Sequence, residues 1–254
     1  MFRFFRNNSK VKQWYFFNYV KKTLISFKKE STKKIIKRPI SFVEAAMDGI
    51  RSSIIKGDLL LGQPLTESYL TESFSLSKTP IREALTRLKQ EGLVVSEHHK
   101  GFKVFKMDEQ DLSEFCELRL ALESQALKTA YKKNRLELIQ QLKNIINEMQ
   151  ACAKKKDFIQ YNLLDTKFHK TFFILASNRY LLEHYDNINS IIETIRTYST
   201  QSLLEKDKLT DVVREHLAIL KNIESKKLSL ALRELGKHIN SWYDNRIIKS
   251  GITK

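Results

Sequence analysis

The sequence predicts a mostly α-helical chain built in two parts, and three observations predict it. Only 7 glycines and 3 prolines occur in 254 residues, and 29% of the residues are charged. That composition suits helices better than a turn-rich β protein. Apolar residues recur at helical spacing almost throughout from Ser41 onward. The one stretch that reads as strand, residues 93–106, falls early and closes a compact first part.

Residues 1–38 stand apart from that pattern. They alternate aromatic clusters with lysines and show no clear period. They hold 12 Lys/Arg against one acid, so +11 of the net +16 charge lies there. No apolar segment leads to a small-residue cleavage site, so a signal peptide is a poor match. The arm reads either as a poorly ordered extension or as a basic tail for nucleic acid or anionic lipid, and its residues do not separate the two. Nowhere does the chain approach eighteen consecutive apolar residues, which argues against a membrane span. Cys116 and Cys152 lack CxxC spacing, which points away from a disulfide framework and toward a reducing, cytoplasmic setting.

Residues 39–107 form the first part. In SFVEAAMDGIRSSIIKG, Val43, Ala46, Met47, Ile50 and Ile54 share a helical face, and Gly57 ends the helix. LTESYLTESF (65–74) is a short helix with Thr66 as N-cap. LSKTPIREALTRLKQEG (76–92) is a third: Ser77 or Thr79 can cap it, Pro80 suits its first turn, and Gly92 stops it. LVVSEHHKGFKVFK (93–106) gives two short strands joined around HHKG. The second part, 108–254, opens on acids. It divides into six helical segments near 109–132, 134–155, 157–176, 179–199, 206–225 and 228–248, with no strand between them.

Two helices separated by a tight turn, the second basic on one side and followed by a hairpin, make a winged helix-turn-helix. Ser77, Lys78, Thr79 and Arg82 then cluster at the N-terminal end of the recognition helix. That end is normally presented to base edges and phosphates. Arg82 suits the O6/N7 pair of a guanine, while Lys78 suits a phosphate equally well. His98, Lys100 and Gly101, at the wing tip, can follow the backbone or enter the minor groove. The plainer alternative is a solvated charged face. Nine Lys/Arg against eight acids leave this part a net charge of only +1, which argues against a broad electrostatic footprint.

The second part raises a different question. LLDTKFHKTFFILASN (163–178) sets Asp165 and His169 on the same apolar side as Phe168, Phe172 and Leu175. In DVVREHLAILKNI (211–223), His216 lies on the stripe of Val212, Ile219, Leu220 and Ile223. In the last helix His238 joins Leu228, Leu232 and Leu235. One inward histidine is usually a core residue bonded to a carbonyl. Four inward polar groups are harder to house, since each unpartnered buried group costs roughly 1–3 kcal/mol and total stability is only about 5–15 kcal/mol. A divalent metal would satisfy all four. Imidazoles suit zinc or nickel, and manganese and iron are also compatible with a His/Asp set.

LTESYLTESFSLSKTPIREALTRLKQEGLV closely resembles the winged helix-turn-helix of the GntR family of bacterial transcription regulators. Two positions depart from the family pattern: the usual turn glycine is Ser75, and the usual arginine after the turn serine is Lys78, which lacks the planar fork for bidentate base reading. The second part resembles the FCD ligand-binding domain of the FadR-type subfamily. The resemblance rests on ELRLALE (117–123), the Asp165/His169 pair followed by SN, the EHLAIL turn (215–220) and the late His238. Six helices suggest the shorter, VanR-like branch. The resemblance implies that Ser77, Thr79 and Arg82 contact an operator, and that Asp165, His169, His216 and His238 bind a metal with open positions for a small organic acid. It also implies that an arginine at Arg119 can pair with the carboxylate of that acid; an ordinary salt bridge to Glu123 is the alternative.

These readings give a homodimeric transcription regulator. Residues 39–107 would read an inverted repeat in double-stranded DNA, and residues 108–254 would sense a small carboxylate and dimerise. Two rivals remain at this point. One is a metal-dependent hydrolase using the Asp/His3 set, although no general base stands beside it. The other is a membrane- or nucleoid-associated binder driven by the basic arm.

Overall fold

The computed structural model describes residues 41–97, 101–205 and 208–244. His98, Lys100 and the 1–38 arm lie outside them. The chain opens with α1 (Phe42–Ile55), started by a reciprocal cap: Ser41 Oγ accepts from Glu44 N–H, and Ser41 N–H donates to the Glu44 carboxylate. Its buried face is Ala46, Gly49, Ile50 and Ile54. Gly49 is required by proximity, because a Cβ there would come within 2.7 Å of the Phe74 ring. A short strand β1 (Pro64–Leu65) follows, and then α2 (Glu67–Phe74), capped by Thr66 as expected.

The turn after α2 answers the question posed by Ser75. It keeps the left-handed conformation, with φ 54° and ψ 40°, although serine replaces glycine. Such a conformation costs a non-glycine residue roughly 1–2 kcal/mol. The recognition helix α3 (Lys78–Gln90) starts at Ser77 and buries Ile81, Ala84, Leu85 and Leu88. Arg51 of α1 reaches Glu91, just past the end of α3, through Nη2–Oε1 at 2.7 Å and Nε–Oε2 at 3.1 Å. Strands β2 (Val94–Glu97) and β3 (Gly101–Val104) form the expected antiparallel hairpin. The hairpin has a third member that sequence reading missed: β1 pairs with β3, giving the order β1-β3-β2. A two-residue strand beginning with proline is too short to show an alternating pattern.

The second part contains α4 (Glu109–Lys155), α5 (Phe158–Ala176), α6 (Arg179–Glu205), α7 (Leu209–Glu224) and α8 (Leu228–Asp244). The two predicted segments 109–132 and 134–155 are the two arms of α4, two helices that meet at a kink at Asn134, whose backbone is non-helical (φ −140°, ψ 42°). The bend has a structural partner: Asn134 Nδ2 donates to Leu175 O and Lys133 Nζ to Ala176 O, both at 2.8 Å. These bonds satisfy carbonyls that the end of α5 would otherwise leave open. Helix α6 runs six residues past its predicted end. Helix α4 packs against α5, α7 and α8, while α6 touches α5 on one side and α1 of the first part on the other. Short connections between successive helices favour antiparallel neighbours.

Candidate metal centre and nucleic-acid interface

Four side chains singled out by their sequence positions meet inside the helical bundle. Asp165 and His169 come from α5, His216 from α7 and His238 from α8, and all four are buried. One candidate ligand atom from each lies within 4.8 Å of every other. His169 Nε2 is 3.2 Å from His238 Nε2 and 3.6 Å from Asp165 Oδ2, and His216 Nε2 is 3.1 Å from Asp165 Oδ1.

The other ring nitrogens explain why these particular atoms converge. His169 Nδ1–H donates to Glu123 Oε2 at 2.6 Å, His238 Nδ1–H to Glu215 Oε2 at 2.7 Å, and His216 Nδ1–H to the Val212 carbonyl at 2.8 Å. An ionised carboxylate or a carbonyl can only accept, so each Nδ1 must carry the proton. Each Nε2 is then left with a lone pair aimed inward. Burial holds His169 below its ordinary pKa and lowers His238 to about 4, so both rings are neutral at pH 7. Burial opposes ionisation of Asp165, but the Arg196 guanidinium outweighs it and holds the carboxyl well below the usual carboxylate range. Glu123 is likewise held at about 2 by Arg119 and His169 despite its burial.

The donor set fits a divalent cation. Two neutral imidazole nitrogens facing one another at 3.2 Å repel through their lone pairs; Arg119 Nη2, 3.2 Å from His169 Nε2, offsets part of this, and a shared cation would relieve it fully. His216 Nε2 is off alignment with Asp165, and that buried nitrogen has no hydrogen-bond partner. Ligands about 2.0–2.1 Å from one metal at ordinary bond angles are roughly 2.9–3.4 Å apart, which the 3.1 and 3.2 Å separations match, while the 3.6 Å pair and the outer 4.8 Å spread would have to draw in around an ion. Phe168, edge-on to His216 with ring centroids 4.6 Å apart, supplies an apolar wall.

Two buried arginines flank the cluster. Arg119 is fully buried, with Nε 2.6 Å from Glu123 Oε1 and Nη2 3.2 Å from His169 Nε2. Arg119 thus makes the salt bridge to Glu123 that was the alternative reading, and its Nη2 lies beside the cluster. Sequence reading missed Arg196 of α6, whose Nε lies 2.5 Å from Asp165 Oδ2 and whose Nη1 donates to Thr166 Oγ1. It also left Glu215 without a role. The available signals were weak: Glu215 is simply the residue before His216, and Arg196 shares the inward stripe of Tyr185, Ile192 and Ile195.

On the first part, Ser77, Lys78, Thr79 and Arg82 lie together on the exposed face of the first turns of α3. Ser77 caps the helix through its backbone conformation and makes no side-chain cap bond, so its hydroxyl is not committed to the helix start. Gly101 begins β3 with φ 82°, and a Cβ there would meet only open space. Among the described residues, no helix is long and apolar enough to cross a membrane.

The sequence profile of the FCD domain matches residues 114–241, and that of the bacterial regulatory proteins, gntR family, matches residues 42–104. The chain belongs to the GntR family. This GntR protein is 29% identical over 213 residues to the gluconate operon transcriptional repressor of Bacillus licheniformis, covering 80% of this chain and 87% of that one. It is 24% identical over 202 residues to the HTH-type transcriptional repressor GlaR of Escherichia coli (strain K12), covering 76% and 92%. Among solved structures, E. coli McbR/YncC superposes with a TM-score of 0.67 at 19% identity, over 84% of this chain and 99% of that one. That likeness shows the fold. The chain is a DNA-binding transcriptional regulator, and its relatives are named as regulators or repressors, not enzymes.

Proposed function

We propose that this GntR regulator adjusts its operator affinity in response to a small organic acid. The acid would bind in the FCD bundle beside a divalent metal held by Asp165, His169, His216 and His238. The observation that carries the reading is the shared orientation of the three histidines, each tied by Nδ1 so that Nε2 points to one place. Zinc or nickel suits that set, and a cation there would supply positive charge and open positions to a carboxylate. Arg119 and Arg196 add two fixed positive charges beside Asp165 and Glu123.

Further polar atoms in the same interior support an oxygen-rich ligand. Tyr161 Oη, Tyr185 Oη, Asn189 Oδ1 and Arg196 Nη2 are buried and have no hydrogen-bond partner. Groups of this kind cost roughly 1–3 kcal/mol each when left unsatisfied, and a hydroxylated carboxylate would satisfy several of them. The name of the B. licheniformis relative, a repressor of a gluconate operon, agrees with such a ligand.

On the DNA side, Ser77, Lys78, Thr79 and Arg82 would contact the operator, joined by the wing residues His98, Lys100 and Gly101. A homodimer would place two recognition helices on the halves of an inverted repeat. Residues 39–107 would form the reading head, and 108–254 the sensing and dimerising unit.

Elemental analysis of the purified protein tests the metal. About one divalent ion per chain is expected, and His169→Ala and His238→Ala should each lower both metal content and melting temperature, because a ligand bound only by the folded state stabilises it. Equal occupancy in variant and parent would remove the site. A thermal-shift screen of hydroxylated and plain carboxylates on the metal-loaded protein then tests the effector.

A further inference from the structure

Arg82, the residue placed to read a base, is held by a partner on the same face. Its Nε donates to Glu67 Oε1 at 2.8 Å and its Nη2 to Glu67 Oε2 at 3.1 Å. Glu67 is the first residue of α2 and Arg82 lies one turn into α3, so the pair spans both helices of the helix-turn-helix. The contact engages Nε and one hydrogen of Nη2. The outer edge of the guanidinium, Nη1 and the second hydrogen of Nη2, faces away from Glu67 and matches the two acceptors that guanine presents in the major groove.

Stability does not account for the pair. The side chains of Arg82 and Glu67 are 68% and 25% exposed, and an ion pair with one partner so open to solvent contributes little to folding. Neither residue belongs to the core. A carboxylate on a surface meant to meet phosphates is also electrostatically unfavourable unless it serves recognition.

We propose that Glu67 is a positioning residue for sequence recognition: it fixes the Arg82 guanidinium with its outer edge toward a guanine and penalises binding wherever that guanine is absent. Fixing the side chain before binding removes part of the ordering cost when the correct base is met. Where the base is wrong, the pair is close to neutral and offers phosphates little attraction, so non-specific affinity stays low. Lys78 also lies within electrostatic range of Glu67, so the carboxylate tempers both cations on this edge of α3. The Arg82 bond holds the Glu67 carboxyl below its ordinary pKa, which keeps it ionised at neutral pH.

The inference rests on the reading of Arg82 as a base contact, and the test separates the two. An operator is selected from a random duplex library with the full-length protein. Affinity for it and for a shuffled duplex is then measured across a salt series for the parent, Glu67→Gln, Glu67→Asp and Arg82→Ala, with melting temperatures alongside. In Glu67→Gln, shuffled-duplex binding should tighten several-fold and operator binding should weaken, so that their ratio falls about tenfold or more. The lost preference should fall at one base-pair position per half-site, the same position that Arg82→Ala loses. Glu67→Asp, which keeps the charge, should retain part of the ratio. A purely structural role would change the melting temperature and all positions together. If Arg82→Ala loses its position while Glu67→Gln keeps the full ratio, the role of Glu67 is overturned and that of Arg82 stands. If Arg82→Ala keeps every preference, the reading of Arg82 is overturned, and the role of Glu67 with it.

Discussion

Each histidine of the cluster gives one ring nitrogen to the protein and keeps the other for the centre. The partners of the first nitrogen differ: a buried carboxylate for His169, a half-exposed one for His238 and a backbone carbonyl for His216. A carboxylate behind an imidazole raises the basicity of the far nitrogen and fixes its direction. On the proposed reading Glu215 would therefore support the centre without touching the metal. Glu215→Gln should keep an acceptor for His238 Nδ1–H while losing the charge, and metal affinity should fall by about 10–100-fold with the fold retained. A competition titration against a calibrated chelator measures this. Unchanged affinity would reduce Glu215 to a surface carboxylate that happens to lie 2.7 Å from the ring.

At the level of elements, α6 connects the two parts of the molecule. Arg196 on it pairs with Asp165 at the centre, while two residues further on Tyr198 accepts a 3.4 Å bond from Leu61 N–H in the first part. Ile191 of the same helix is the nearest neighbour that a Cβ on Gly92, at the end of the recognition helix, would meet, at 3.1 Å. On the proposed reading, a change in the position of Asp165 would reach the DNA-reading part through this one helix. Two sites are coupled only if the element between them favours different arrangements when one site is filled. Tyr198→Phe should leave metal affinity unchanged and reduce the effect of metal on operator affinity, coupling that is typically worth about 5–150-fold in such systems. Operator titrations with and without chelator measure it, and an undiminished metal effect in the variant would exclude this route.

On the scale of the whole molecule, charge and polar burial are distributed very unevenly. The +11 of residues 1–38 exceeds the net charge of everything after it, and the reading head is nearly neutral. Specific recognition would then rest on the directed contacts of α3, with the arm adding affinity that ignores sequence. Deleting residues 1–38 should preserve the preference for operator over shuffled duplex while weakening binding to both and flattening the salt dependence. Collapse of the preference itself would assign recognition to the arm. In contrast, the buried polar atoms that lack partners, among the described residues, all belong to the helical bundle. The two parts have opposite interiors: among the described residues, the buried side chains packed under α3 are apolar, whereas charged groups are buried around the candidate centre.

The amino-acid sequence alone determined the two-part organisation, the recognition helix with its exposed cluster at Ser77, Lys78, Thr79 and Arg82, and the inward direction of Asp165, His169, His216 and His238. All of these follow from local rules, because caps, stops and a 3.6-residue period are written in neighbouring residues. Only the tertiary structure decided which groups meet. Arg196 comes from 31 residues beyond Asp165 and Glu123 from 46 residues before His169. Neither pairing leaves a periodic trace, because a charged residue on an inward stripe reads the same whether its partner is a neighbour on the helix or a ligand carried by another. The strand β1 and the Glu67–Arg82 pair stayed hidden for the same reason: each is fixed by a partner on another element, not by its own local pattern.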